Sequence, residues 1–218
     1  MLAAVSARRQ RARGRLAAAA KEYAARGWAC VPGAHPGADR ACSCDRIGCP
    51  DPGAHPVSAA WARQATTDPA VLKRWWSDDP QANVILPTGR VFDVFDVPAA
   101  AGALALERIA AAHSRPGPTS PVGPVAVVGA ERHLFFVATR GAPEDEDEWW
   151  SCHLDCSPET VADTPGLRWH CRESYVVAPP SVLPGDREVA WVRPPDRAPL
   201  PDPVRVLEIL ADSCEAVR

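Results

Sequence analysis

Lysine is almost missing from this chain of 218 residues: Lys21 and Lys73 are the only two among 24 basic side chains, and the others are all arginine. With so much alanine and proline alongside, this is the composition of GC-rich coding and not a selection for arginine chemistry. An excess of positive charge is missing too. The formal net charge is −3, so there is no global basic signature for nucleic acid. Long apolar runs are lacking, and nothing approaches the roughly 20 residues that cross a bilayer as a helix. The Arg-rich N-terminus is followed by neither an apolar segment nor a clean cleavage site, so no secretory signal is read and a cytoplasmic chain is expected. No internal repeat is found.

What is present is ordinary for a globular protein: 46% hydrophobic and 23% charged residues. The length allows one large domain or two small ones. Twenty-four prolines put much of the chain into loops and turns. The charge is uneven. Arg8, Arg9, Arg11, Arg13 and Arg15 cluster without an acid among them, giving a basic N-terminal arm over residues 1–16. The run EDEDE at 144–148 reads as solvated surface. Eight cysteines in an apparently cytoplasmic chain point to metal ligands or core thiols before disulfides.

The pattern of elements is mixed. RLAAAAKEYAARG reads as a helix ending at Gly27, and WACVPG as a short strand. Residues 33–60 form a long irregular loop, of the kind that is usually functional or tied down. TDPAVLKRWWSDDP is a helix with Asp68 as N-cap, Pro69 at its first position and Pro80 as its stop. ANVILPTG and RVFDVFDV read as strands, and 98–113 as the helix after them. A Pro/Gly/Ser linker, 114–124, leads into a hairpin around Gly129. SYVVAPPS and EVAWVRPP read as later strands. Residues 196–218 hold a C-terminal amphipathic helix with Val204, Leu207, Ile209 and Leu210 on its apolar face. Mixed helices with adjacent hairpin strands give an α+β fold class.

The strongest local chemistry lies in CSCDRIGCPDPGAHP. Cys42, Cys44, Cys49 and His55 stand in a C-x-C-x4-C-x5-H spacing. Three thiolates and one imidazole complete a tetrahedral Zn²⁺ shell, and the intervening Gly and Pro allow the tight turns this needs. A loop without a core of its own needs such a staple, and four protein ligands make it structural. Cys30 and His35 are reserve ligands. A second group, Cys152, His153, Cys156, His170 and Cys171, has no spacing that favours a metal over ordinary half-buried side chains.

Five segments taken together resemble the N-terminal domain of bifunctional DNA primase/polymerases, in the archaeo-eukaryotic primase superfamily. They are AKEYAARGWACVP, WWSDDPQANVILPTG, the aspartate strand RVFDVFDV, ERHLFFV, and YVVAPPSVLPG followed by Trp191. The resemblance spans residues 17–195. It implies a primase-polymerase-like domain with an RRM-like catalytic half and an N-terminal αβ portion carrying the zinc-stapled loop. It also implies two-metal addition of nucleotides to a 3′-hydroxyl on a DNA template, with Mg²⁺ or Mn²⁺ as the catalytic ions. Asp96 and Asp93 would bind metal, and His133 would bind the nucleoside triphosphate. Arg172 would serve its phosphates or those of the template. DNA and nucleoside triphosphates are the implied partners, with a separate helicase besides.

The acids depart from that pattern. Side chains alternate faces along a strand, so a D-x-D pair shares a face, whereas Asp93 and Asp96 are three apart. Only a β-bulge would bring both to one side. No acid replaces the third ligand ahead of YVVAPPS. Glu173 does not match its position, and His170, nearer to it, is a poor Mg²⁺ ligand. The alternative is therefore a catalytically degenerate primase-fold module that binds nucleic acid or nucleotide. A zinc-stabilised interaction domain is a third reading.

Overall fold

The computed structural model describes residues 2–37, 42–44, 46–113, 123–139, 159–160, 164 and 166–218. Along the chain run α1 (Leu2–Ala25), β1 (Val31–Gly33), α2 (Trp61–Gln64), α3 (Pro69–Asp78), β2 (Asn83–Pro87), β3 (Phe92–Pro98) and α4 (Ala99–His113). They are followed by β4 (Val125–Val128), β5 (Arg132–Ala138), β6 (Glu159–Thr160), β7 (Arg168–His170), β8 (Tyr175–Ala178), β9 (Val182–Leu183), β10 (Arg187–Arg193) and α5 (Pro203–Ala216). Two compact units share them. The first is Met1–Pro87 with Val176–Ala190, and the second is Thr88–Tyr175 with Trp191–Arg218. Among the described residues no helix is long and apolar enough to cross a membrane.

In the first unit, α1 is one continuous helix that takes in the backbone of the Arg-rich arm. Leu16, Ala20 and Tyr23 fall four and then three residues apart and are buried on one side. The helix ends where expected. Gly27 takes a left-handed φ of 79°, which costs a glycine little. Asp68 caps α3 by accepting a hydrogen bond from the Ala70 N–H at 2.8 Å. β1 pairs antiparallel with β2 in a three-stranded sheet ordered β1-β2-β8. A Cβ at Gly33 would stand 2.6 Å from Ile85 Cγ1, so this crossing needs glycine.

The second unit is built on strands ordered β6-β7-β3-β5-β4. β3 and β5 pair antiparallel without interruption from Phe92↔Ala138 to Pro98↔Arg132. The odd-numbered face of this sheet carries Phe95, Val97, Phe135 and Val137. It packs against Ala101, Ala105 and Ile109 of α4 and Val206, Leu210 and Cys214 of α5. Full burial of each phenylalanine stabilises by about 1.5–3 kcal/mol. The buried stripe of α5 differs from the expected one. It runs through Val206, Leu210 and Cys214 at four-residue steps, with Leu207 and Ile209 at its edge, while Val204 is 42% exposed. Val204 lies in the first turn, beside the Asp202 cap, and turns outward.

Candidate functional site

The loop in the first unit brings its four expected ligands together. One ligand atom from each of Cys42, Cys44, Cys49 and His55 lies within 4.8 Å of all the others. His55 Nε2 is 3.4 Å from Cys42 Sγ and 3.3 Å from Cys49 Sγ. Zn–S and Zn–N bonds of about 2.3 and 2.0 Å in a tetrahedron give an S···N edge of roughly 3.6 Å, so the donor set fits one Zn²⁺. The His55 Nδ1–H faces the Pro56 carbonyl at 2.8 Å, which leaves the Nε2 lone pair turned to the thiols. The Gly53 N–H donates to Cys42 Sγ.

Asn83 steadies this loop, and no sequence signal marked it for that role. Its Nδ2 donates to the Gly53 carbonyl at 2.8 Å and to the Val182 carbonyl at 2.9 Å. The reserve ligands are engaged elsewhere. His35 Nε2 lies 3.5 Å from Asp79 Oδ2. The Cys30 thiol is buried against the Ala20 carbonyl, and burial pushes its pKa up to about 12.

In the second unit Asp96 is the centre of a charged cluster on the even-numbered face of β3. It is only 6% exposed. Arg132 Nε donates to its Oδ1 at 2.6 Å, and Arg132 Nη2 donates to the carbonyls of Asp96 and Gly166 at 2.9 and 2.7 Å. The pairing explains the meeting: Pro98 stands opposite Arg132, so Arg132 shares the face of Asp96. On the other side β7 places Arg168 opposite Asp96 and His170 opposite Val94. Arg168 Nη1 and His170 Nε2 lie 3.9 and 3.8 Å from Asp96 Oδ2. His170 Nδ1 is 3.1 Å from the Ser174 hydroxyl. The next residues of β3 on this face are Val94 and Pro98. Among the described residues the cluster therefore has one carboxylate facing two guanidiniums and an imidazole.

Asp93 and His133 lie on the opposite face, the one covered by helices. Asp93 is opposite Val137 and His133 is opposite Val97. The two are four residues apart in register, about 13 Å along the strands. The three side chains do not converge on one face, as strand alternation predicts for Asp93 and Asp96, because the uninterrupted β3–β5 register leaves no bulge to turn Asp93 round. His133 is seated against α4, where a Cβ on Gly102 would come within 2.5 Å of its Cβ and Cγ. Burial lowers its imidazole pKa.

Asp93 is 2% exposed, and its Oδ1 has no hydrogen-bond partner among the described residues. Burial pushes its carboxyl up to about 6, and the nearby Thr139 hydroxyl and Trp169 indole pull it back only partly. The folded chain then holds this proton up to about pH 6, whereas the unfolded chain releases it near pH 4. Stability from this group falls as pH rises through that window and stays lower above it. Asp93→Asn is expected to stabilise the protein at pH 7 by up to about 3 kcal/mol and to leave it nearly unchanged at pH 4. Urea unfolding at both pH values measures this, and a less stable variant at pH 7 would contradict it.

Arg172 is exposed on the turn after β7. That turn is clasped by the β2–β3 connection: the Thr88 N–H donates to the Ser174 carbonyl at 2.9 Å. Gly89, at φ 80°, leaves no room for a Cβ against the Arg172 backbone. Of the second Cys/His group, Cys171 is disulfide-bonded, which removes it from the pool of thiolate ligands. Cys152, His153 and Cys156 lie outside the described residues, as do most of the 114–124 linker and the EDEDE run. Arg132 and Arg168 are the cluster members that reading the sequence did not single out. The one available signal was the Arg next to the His in ERHLFF.

No curated protein matches the chain at a significant level. The family model of the bifunctional DNA primase/polymerase N-terminal domain matches residues 20–203, which is most of the chain. The protein therefore belongs to the bifunctional DNA primase/polymerase N-terminal family.

Proposed function

We propose that this chain is a primase-fold module that binds nucleotide or nucleic acid and does not carry out two-metal nucleotidyl transfer. The observation that supports it is the state of Asp96, one buried carboxylate held at 2.6 Å by Arg132. Two-metal chemistry needs hard oxygen ligands, usually two or three carboxylates converging on one face. Here the strand partners on that face supply Arg132, Arg168 and His170. The competing reading places Mg²⁺ or Mn²⁺ on Asp96 and Asp93, with His133 holding the nucleotide. It would require side chains on opposite faces of one regular strand to act together. Arg172, exposed beside the cluster's strand, stays a phosphate candidate on the present reading.

Family membership implies DNA and nucleotide as the ligands. On this proposal the RRM-like half is the sheet of β3, β5 and β4 with α4 and α5 on one face. Zn²⁺ staples its loop, and a separate helicase is its partner. Primer extension and primer synthesis with Mg²⁺ or Mn²⁺ test the reading. Wild type is expected to incorporate no more nucleotide than Asp96→Ala, while both still shift labelled DNA. Incorporation by wild type that disappears in Asp96→Ala would overturn it.

A further inference from the structure

We propose that Cys44 and Cys49 form an oxidation site on the zinc loop, where a peroxide joins the two sulfurs as a disulfide and so strips the loop of its ion. The inference rests on the zinc reading of the Cys42, Cys44, Cys49 and His55 cluster and goes beyond it. Its first support is the unequal setting of the three sulfurs. Cys42 is 4% exposed and accepts from the Gly53 N–H at 3.4 Å, so it is held inside the loop. Cys44 and Cys49 are half-buried and reachable from solvent. The Arg46 N–H donates to Cys44 Sγ, which ties this sulfur to the exposed side of the loop. A thiolate that binds zinc is already ionised, so access and not titration decides which sulfur an oxidant meets first.

Its second support is the turn between them. Arg46, Ile47 and Gly48 are all exposed, Ile47 wholly so. Gly48 has a left-handed φ of 67°, and a Cβ there would meet nothing within 4 Å. The turn is thus free to tighten without disturbing packed side chains. The sulfurs start no more than 4.8 Å apart, and a disulfide draws them to about 2.0 Å. The Cys44 thiolate attacks one peroxide oxygen, the O–O bond breaks, and a sulfenic acid and a hydroxide form. The Cys49 thiolate then attacks the Cys44 sulfur and displaces the second hydroxide. The two sulfurs lose two electrons, and the peroxide gains them. Cys42 and His55 are left as two ligands, too few for a tetrahedral structural site.

The test uses the full, zinc-loaded chain, hydrogen peroxide and a chromogenic zinc chelator. Wild type is expected to release its zinc, to lose about 2 Da in intact mass, and to show a Cys44–Cys49 cross-link when its unreduced peptides are fragmented. A dithiol with added zinc is expected to restore the starting mass and zinc content. Cys44→His, which keeps four ligands, is expected to slow the release at least about fivefold. Cys214→Ala, buried in the second unit, is expected to leave the rate unchanged. If Cys44→His loads no zinc, the wild-type peptide map decides. Release accompanied by a disulfide to Cys42, or by sulfinic acids without the Cys44–Cys49 bridge, would overturn the proposal. A zinc-loaded chain that keeps its ion under peroxide sinks this inference alone, whereas a chain that purifies without zinc sinks the zinc reading and this inference together.

Discussion

Cys49→Ser is expected to take the protein from about one zinc per chain to nearly none, and to lower its stability by more than about 4 kcal/mol. The four ligands sit in a stretch with little apolar core of its own: Cys42 and Ala54 are its buried apolar members between Cys42 and His55, and Ile47 is fully exposed. Such a loop would owe its shape to a bound ion. In zinc-finger peptides the metal contributes about 10–16 kcal/mol of apparent folding free energy at neutral pH. The loss here is smaller because Asn83 and the β1–β2 pairing hold the loop's surroundings. Proton competition adds a sign. The thiols must ionise to bind, so zinc affinity falls as pH falls. Metal analysis by mass spectrometry, with thermal unfolding before and after a chelator, measures both effects. A zinc-free wild type, or a melting temperature indifferent to the chelator, would contradict the account.

Arg132→Met is expected to cost about 3–5 kcal/mol, the range for removing one partner of a buried ion pair. The substitution leaves Asp96 with 6% exposure and only the distant Arg168 and His170 groups near it, and it strips the Gly166 carbonyl of its donor. Asp96→Ala in the same background should cost much less than in wild type, because the stranded carboxylate is then gone. A double-mutant cycle over the two positions is expected to give a coupling of about 1–3 kcal/mol. Strictly additive single effects would mean that Asp96 and Arg132 do not depend on each other.

The legible parts of this protein were those whose causes are local. Asp68-Pro69 marks a helix start and Gly27 a helix end, because caps act within a few residues. The Cys/His side chains that come together in the loop lie within 14 consecutive positions, 42 to 55, so spacing alone singled them out. The period of a strand was enough to set Asp93 and Asp96 on opposite faces, and the uninterrupted pairing keeps them there. The surroundings of Asp96 were not legible in the same way. Arg132 is 36 residues away, and register alone brings it to that carboxylate. β7 is three residues long, too short to carry an alternation, yet it supplies Arg168 and His170. The α5 stripe was misjudged at Val204 because the cap at Asp202 fixes which way the first turn faces.

The claim that Asp96 is committed to Arg132 and is not a metal ligand is tested most directly by Mn²⁺ binding. Electron paramagnetic resonance of the zinc-loaded chain, titrated with Mn²⁺ beside a non-hydrolysable nucleoside triphosphate, reports protein-bound manganese. The account predicts the same spectrum for wild type and Asp96→Asn. A stoichiometric Mn²⁺ signal in wild type that vanishes in Asp96→Asn would contradict it.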